Sequence, residues 1–125
     1  MTGLVWIATY DRRTGGLSDL RRLTECGPDD GMPDGATVDS EGCLWSAFFG
    51  SGTLRRYAPD GALDLTLRLP VRKVTSLTFG GPNCDIIYVT SAGAAFPPDD
   101  GAAGGKIFRV TGLGVRGLPE PKFAG

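Results

Sequence analysis

The chain has 125 residues, 41% of them hydrophobic and 22% charged, and its formal net charge is −1. This length suffices for one domain with a sizeable core, and the hydrophobic content is typical of globular rather than disordered or membrane-spanning proteins. Because 13 basic residues stand against 14 acidic ones, there is no surplus of positive charge to neutralise phosphates, and we expect no nucleic-acid partner.

Two residue types narrow the chemistry further. The chain contains no histidine, which excludes Ser-His-Asp and Cys-His mechanisms and histidine-based zinc sites within it. Its three cysteines, Cys26, Cys43 and Cys84, form no Cys-x-x-Cys pair. We interpret them as free thiols in a reducing compartment and expect a cytoplasmic protein. The first ten residues lack the basic start of a signal peptide and no apolar run is long enough to span a bilayer, so we expect no membrane partner.

The chain opens with two predicted strands. Its 20 glycines and 9 prolines separate many short apolar runs, a pattern typical of an all-β protein rich in turns. Leu4 to Tyr10 is the first run and Leu17 to Thr24 is the second. The three-residue spacing of the leucines in the second run also fits a short helix. The Gly15-Gly16 pair before it suits a hairpin, however, and favours a strand.

The stretch from Gly31 to Gly52 alternates turns with strands. Pro33-Asp34-Gly35 has the residues of a turn, and Ala36 to Val38 forms a short strand-like run. A second turn leads to an apolar run from Cys43 to Phe49. On composition alone Asp34 is a turn residue, but its carboxylate stands at the mouth of a strand, where it can reach solvent, a ligand or an ion.

The same pattern restarts about 40 residues later, close to the spacing of four-stranded propeller blades. Five further strands are predicted, at residues 53–57, 63–69, 74–79, 86–90 and 106–110. A second Pro-Asp-Gly sequence, around Asp60, is a plain turn between two outer strands. Thr75-Ser76 takes the place that Pro33-Asp34 has in the preceding repeat, and it either lines the mouth of a central channel or simply enters a strand.

The aromatic residues and the tail complete the prediction. Five aromatic side chains are expected to pack between blades, because aromatic residues in strands usually belong to the core: Trp6, Trp45, Phe48, Phe49 and Phe79. The tail from Thr111 to Gly125 is rich in glycine and proline and is predicted to be extended or loop and to form an edge segment.

A set of spaced segments carries a family resemblance. In order they are Pro33-Asp34-Gly35, Val38-Asp39-Ser40-Glu41-Gly42, Leu44-Trp45, Leu69-Pro70-Val71, Thr75-Ser76, Phe79-Gly80-Gly81, Tyr88-Val89-Thr90, Gly105-Lys106-Ile107-Phe108-Arg109-Val110 and Phe123-Ala124-Gly125. Together they resemble the senescence-marker-protein, gluconolactonase and luciferin-regenerating-enzyme family. The resemblance covers nearly the whole chain, which looks like the C-terminal two-fifths or so of a family member.

The resemblance implies a fold. Family members are six-bladed β-propellers, so residues 1–125 are expected to form the C-terminal part of such a domain. This part would hold roughly two to two and a half four-stranded antiparallel blades: the outer half of one, the whole of the next and most of a third. Open blade edges promote pairing with another chain, so we expect self-association.

The resemblance also implies a chemistry. The family resembles metal-dependent lactone hydrolases, in which a divalent ion (calcium, zinc, manganese or magnesium) polarises the lactone carbonyl and activates a water. Its ligands are a Glu near the N-terminus, two Asn in middle blades and the Asp of the Pro-Asp-Gly turn. Only the last matches here, so the resemblance assigns to Asp34 the roles of metal ligand and catalytic general base. The single asparagine, Asn83, falls in an outer turn and matches neither Asn.

The sequence leaves three functions open. The first is a fragment of a metal-dependent lactone hydrolase, inactive alone, which would take a sugar lactone if its site were completed by other residues. The second is a non-catalytic propeller module for binding or assembly. The third is a degenerate truncated chain. Whether the chain acts as an enzyme is therefore open at this point.

Overall fold

The computed structural model describes residues 3–93 and 100–122, which form strands throughout apart from one short 3₁₀ helix, Gly101–Ala103. The strands, numbered in chain order, are β1 Gly3–Tyr10, β2 Leu17–Cys26, β3 Met32–Val38, β4 Leu44–Phe49, β5 Thr53–Tyr57, β6 Leu63–Arg68, β7 Val74–Gly80, β8 Ile86–Ser91 and β9 Ile107–Val110. The region from Leu17 is thus a strand, as the sequence favoured, and not a helix.

The strands form three antiparallel sheets in up-and-down order. The first sheet is the β1-β2 hairpin, the second is β3-β4-β5-β6 and the third is β7-β8-β9. Each sheet takes consecutive strands of the chain, and β3 of the second sheet lies against β7 of the third. This is the arrangement of successive propeller blades, so the prediction of an all-β partial propeller is confirmed.

The main core lies between the second and third sheets. It is built from buried apolar side chains of both: Trp45, Ala47, Leu54, Val71, Val74, Leu77, Phe79, Ile87 and Val89. Trp45 and Phe79 pack edge to face in this core, with their ring centroids 6.0 Å apart and an angle of 85° between the ring planes. A smaller cluster of Cys26, Phe48 and Tyr57 lies apart from it.

Aromatic packing follows the prediction except at the first hairpin. Trp45, Phe48 and Phe79 are buried and Phe49 is half-buried. Trp6 is 55% exposed, so its assignment to the core is wrong. The reason is that β1 and β2 form a two-stranded sheet, which is too small to cover the indole ring. Trp6 instead lines an open apolar cavity of about 240 Å³ together with Leu44 and Pro59.

The two Pro-Asp-Gly sequences differ in structure. The second joins β5 to β6 as a turn, with Gly61 at a φ of +94°, as predicted. The first was also predicted to be a turn but lies inside β3. Strand β3 is an edge strand of its sheet. Proline has no N–H to donate, and edge strands tolerate it because one side of their backbone has no partner strand.

The tail joins two hairpin turns and does not extend a sheet edge. The amide of Ser40 donates to the carbonyl of Arg116 at 2.8 Å, and the amide of Gly117 donates to the carbonyl of Cys84 at 2.8 Å. A Cβ on Gly117 would lie 2.2 Å from the Cβ of Phe79, so only glycine fits this close approach. Residues 111–122 are therefore loop, one of the two predicted forms, and in place of an edge strand they form one isolated bridge, between Gly117 and Asp39. Phe123 to Gly125 lie outside the described residues.

In the described part of the chain, no helix is long and apolar enough to cross a membrane.

Candidate functional site

The site begins where the two inner strands, β3 and β7, approach each other. A Cβ on Gly35 would lie 2.3 Å from Ser76 Oγ and 2.8 Å from Ser76 Cα. Real side-chain carbons do not approach this closely, so the contact requires a glycine at position 35. The contact brings Asp34 and Thr75, each one residue earlier in its strand, to the same level of the two strands.

Both inner strands are irregular at this level. In β3 the pairing shifts between Pro33 and Ala36, which leaves Asp34 and Gly35 opposite one residue of β4. In β7 it shifts between Val74 and Ser76, which leaves Thr75 as the extra residue. Such bulges re-aim side chains and are frequent next to active sites. The repeat therefore places a carboxylate and a hydroxyl at matching bulges of neighbouring strands.

Asp34 carries an uncommitted carboxylate. It is exposed, and among residues 3–93 and 100–122 its side chain has no hydrogen bond or ion pair. Nearby acidic residues behave differently, since Asp30 is bound by Arg55 at 2.7 Å and by the Gly27 amide at 2.7 Å. The position of Asp34 suits a ligand to a hard cation, which prefers carboxylate and carbonyl oxygens.

One carboxylate does not make a metal site. Calcium takes six to eight oxygen ligands, and magnesium demands a near-octahedral shell. Within the described residues, no group of three or more His, Cys, Asp or Glu side chains could hold a metal ion. The donors present therefore do not fit a resident ion by themselves, and the roles assigned to Asp34 remain predictions.

A pair of threonine hydroxyls lies at the β7 bulge. Thr75 Oγ1 and Thr90 Oγ1 are 2.8 Å apart and form a hydrogen bond across β7 and β8. The Thr90 hydroxyl also lies 3.5 Å from the carbonyl oxygen of Ser76. Sequence analysis noted Thr75-Ser76 but missed Thr90. The signal for it was the repeat itself, because the strand after an inner strand pairs back onto it.

A second carboxylate, that of Asp39 directly after β3, is buried and structural. Its Oδ1 accepts the backbone amides of Glu41 and Cys43, each at 3.0 Å, and its Oδ2 accepts Trp45 Nε1 at 2.9 Å and Arg56 Nε at 2.7 Å. Burial by itself would raise the pKa of Asp39, but these hydrogen bonds, that of the Arg56 guanidinium first, outweigh it and hold the pKa below its ordinary value.

The guanidinium of Arg56 completes a network of four charged side chains. Beside Asp39 it binds Asp64 at 2.6 Å and also the carboxylate of Glu41. The network ties the β3–β4 turn to strands β5 and β6, so it fixes the blade.

The cysteines are free thiols in the structure, as interpreted from the sequence. Cys26 and Cys43 are buried, and burial raises the pKa of both thiols. Both thiols are therefore protonated at neutral pH, the form in which a thiol is a poor nucleophile.

Comparison with known proteins agrees with this architecture. Residues 1–93 match the model of the SMP-30/gluconolactonase/LRE-like region. Regucalcins of Xenopus laevis and Homo sapiens are each 40% identical to the chain over 93% of its length, and the chain spans 40% of theirs.

Two solved structures are similar as well. A luciferin-regenerating enzyme superposes with a TM-score of 0.82 and 38% identity, over 92% of this chain and 40% of that one. A calcium-binding protein, regucalcin, from Agrobacterium tumefaciens superposes with a TM-score of 0.78 and 30% identity, over 93% of this chain and 40% of that one. With successive antiparallel sheets in propeller order, Asp34 on an inner strand and a family match over residues 1–93, the chain belongs to the SMP-30/gluconolactonase/LRE-like family, and it spans about 40% of the length of these relatives.

Proposed function

We propose that this chain provides one wall of the central site of a metal-dependent lactone hydrolase and contributes a single ligand, Asp34, to its divalent ion. Family membership supports the reaction class. The observation that carries the role of Asp34 is its exposed carboxylate, which has no partner among the described residues and sits in the inner-strand bulge that touches the next blade. At this place Asp34 would also serve as general base.

The proposal predicts that the isolated chain is inactive. One carboxylate leaves most of the coordination shell of calcium, magnesium, manganese or zinc to water, so binding of any of these ions should be weak. Calorimetric titration with each metal, and hydrolysis of glucono-δ-lactone in its presence, measure this. Metal-dependent turnover by the lone chain that disappears in Asp34→Ala would contradict it and would indicate a site rebuilt between copies.

A chimera tests the positive half of the proposal. It joins residues 1–125 to the part of the Xenopus laevis regucalcin that lies outside its match to this chain. We expect metal-dependent hydrolysis of glucono-δ-lactone by the chimera, and a loss of about a hundredfold or more in Asp34→Ala, the usual range for a general base. Asp60→Ala is the matched control, because Asp60 stands in the other Pro-Asp-Gly sequence, in an outer turn where its carboxylate accepts the Ala62 amide at 2.9 Å. Equal activity of the two variants would overturn the role of Asp34.

An assembly module is the second candidate function. The exposed apolar side chains of the β1-β2 hairpin favour it, since Trp6, Leu17 and Leu20 are 55%, 71% and 66% exposed. A chimera that folds but hydrolyses no lactone with any metal would favour this reading. For either function we place the protein in the cytoplasm, in keeping with free thiols at all three cysteines.

A further inference from the structure

An apolar cavity of about 240 Å³ lies between the β1-β2 hairpin and the second sheet. Both sheets supply its lining, which includes Trp6 and Ile7 of β1, Val38 of β3, Leu44 of β4 and Pro59 of the β5–β6 turn. The proposed catalytic carboxylate is not among the lining residues. The cavity is therefore a feature separate from the proposed metal site.

Two contacts hold the walls of the cavity together. A Cβ on Gly61 would lie 2.1 Å from the carbonyl oxygen of Leu23, so the β5–β6 turn lies directly against β2. Two residues earlier in the same turn, the carbonyl of Pro59 accepts a hydrogen bond from Arg21 Nη2 at 3.1 Å. The cavity is thus fixed by packing and is present before any ligand binds, as small-molecule sites usually are.

Arg21 brings a positive charge to the cavity that no acidic side chain neutralises. Its guanidinium lines the apolar space, and among residues 3–93 and 100–122 it has the hydrogen bond to Pro59 and no ion pair. Its neighbour Arg22 differs, because Glu25 binds it at 2.5 Å. A guanidinium has five N–H donors in a planar fork that matches a carboxylate. Most donors of Arg21 therefore remain open to an anionic ligand.

We propose that this cavity binds a small apolar carboxylate, with its hydrocarbon part against Trp6 and its carboxylate paired with Arg21. A dry apolar cavity of about 150 Å³ holds benzene, so one of about 240 Å³ has room for a ring with a short chain. Contact between the ring and the indole supplies affinity, and the guanidinium selects an anion. The inference goes beyond the proposed function, because it requires neither a metal ion nor Asp34.

Three probes separate the parts of such a ligand. Phenylacetate has the ring and the carboxylate, phenethyl alcohol replaces the carboxylate with a hydroxyl group, and acetate lacks the ring. Tryptophan fluorescence of the 125-residue chain reports binding, because Trp6 is 55% exposed whereas Trp45, the second of the two tryptophans, is buried in the core.

We expect a saturable fluorescence change with phenylacetate at pH 7. Its dissociation constant should be about three- to tenfold lower than that of phenethyl alcohol, the effect of one partly exposed charge-assisted hydrogen bond. Acetate should give no change, because without the ring it buries no apolar surface.

Variants assign the probe to the cavity. Arg21→Gln removes the charge and keeps a side-chain donor for the Pro59 carbonyl, so it should bind phenylacetate no more tightly than phenethyl alcohol. Arg22→Gln is the matched control, because Arg22 is paired with Glu25 and does not line the cavity, and it should keep the preference of the parent. Ala58→Leu places a larger side chain in the cavity and should weaken binding of both phenyl probes, with urea unfolding as the check on its fold.

Four results would overturn the inference. One is the absence of a saturable response to phenylacetate, and a second is equal affinity of the parent for phenylacetate and the alcohol. A third is an equal loss of preference in Arg21→Gln and Arg22→Gln, which would show a general effect of charge. The fourth is a fluorescence change that follows protein concentration and responds to no probe, which would show that a second copy of the chain fills the cavity. The arginine pair decides the question independently of the stability of Ala58→Leu.

Discussion

Asp39 shows at the scale of one residue how a carboxylate is committed to the fold. It is 1% exposed, and its two oxygens accept four hydrogen bonds. Asp34 is only five residues earlier and has none among the described residues. The family-like segment around Asp39 therefore reflects a structural requirement, whereas Asp34 stays available for a ligand.

Substitution of Asp39 should be costly. Asn cannot pair with the Arg56 guanidinium as a carboxylate does, so we expect Asp39→Asn to lower the free energy of unfolding by about 2–3 kcal/mol at pH 7. Urea unfolding measures this. Asp60→Asn is the control, because Asp60 lies in an exposed turn, and it should change the free energy by less than about 0.5 kcal/mol.

The same variant tests the pH dependence. The folded pKa of Asp39 lies below its ordinary value of 3.8, so the unfolded chain holds this proton more tightly than the folded one. The stabilisation is then complete above about pH 4 and is lost as the pH falls towards the folded pKa. The free energy of unfolding should fall less steeply below pH 4 in Asp39→Asn than in the parent. Parallel curves would show that Asp39 is not the group responsible.

At the scale of elements, the contact between β3 and β7 depends on Gly35. An added Cβ would meet both the side chain and the Cα of Ser76, and moving a side chain alone would not relieve the second clash. We expect Gly35→Ala to destabilise the chain by about 1–3 kcal/mol, the usual cost of overpacking. In Gly16→Ala the new Cβ would meet only the Thr14 hydroxyl, at 3.3 Å, so this control should be nearly neutral.

The measurement is chemical unfolding of both glycine variants. A Gly35→Ala variant as stable as Gly16→Ala would contradict the close approach of the two strands. In the chimera, Gly35→Ala should also reduce lactone hydrolysis, because separation of the strands displaces the bulge that holds Asp34.

At the scale of the whole molecule, the chain has more surface than its mass requires. Its accessible surface is 7846 Å², whereas a compact monomer of 13.1 kDa has about 6400 Å². Part of the excess is apolar and lies on the two-stranded hairpin, where Trp6, Leu17 and Leu20 are more than half exposed. Uncovered apolar patches and open strand edges both favour association.

We therefore expect the chain to self-associate through the β1-β2 hairpin. Light scattering behind a sizing column should give a mass that rises with protein concentration. Leu20→Glu should lower that mass, because it places a charge on the apolar face. Leu118→Glu is the control, since Leu118 is 55% exposed but belongs to the tail and not to the hairpin, and it should associate like the parent. A monomer at every concentration would contradict this prediction.

Sequence by itself determined the strand order, the repeat and the family. These follow from local patterns: apolar runs of strand length, glycine and proline between them, and the alternation of Leu65 and Leu67 towards the core. Even the weak second run was correctly predicted as a strand, because a glycine pair preceded it. The Pro-Asp-Gly sequence around Asp60 was correctly predicted as a turn, because its residue types favour turns.

Tertiary structure alone decided the details of the site. Pro33-Asp34-Gly35 and the turn at Asp60 share one tripeptide, yet the first became a bulged strand because it pairs with β4 and touches Ser76. Thr90 meets Thr75 through the pairing of β8 with β7, and Trp6 lost its place in the core because its sheet has only two strands. Contacts between residues about 15 to 40 positions apart determine each of these features, whereas turn composition and hydrophobic alternation report only on near neighbours.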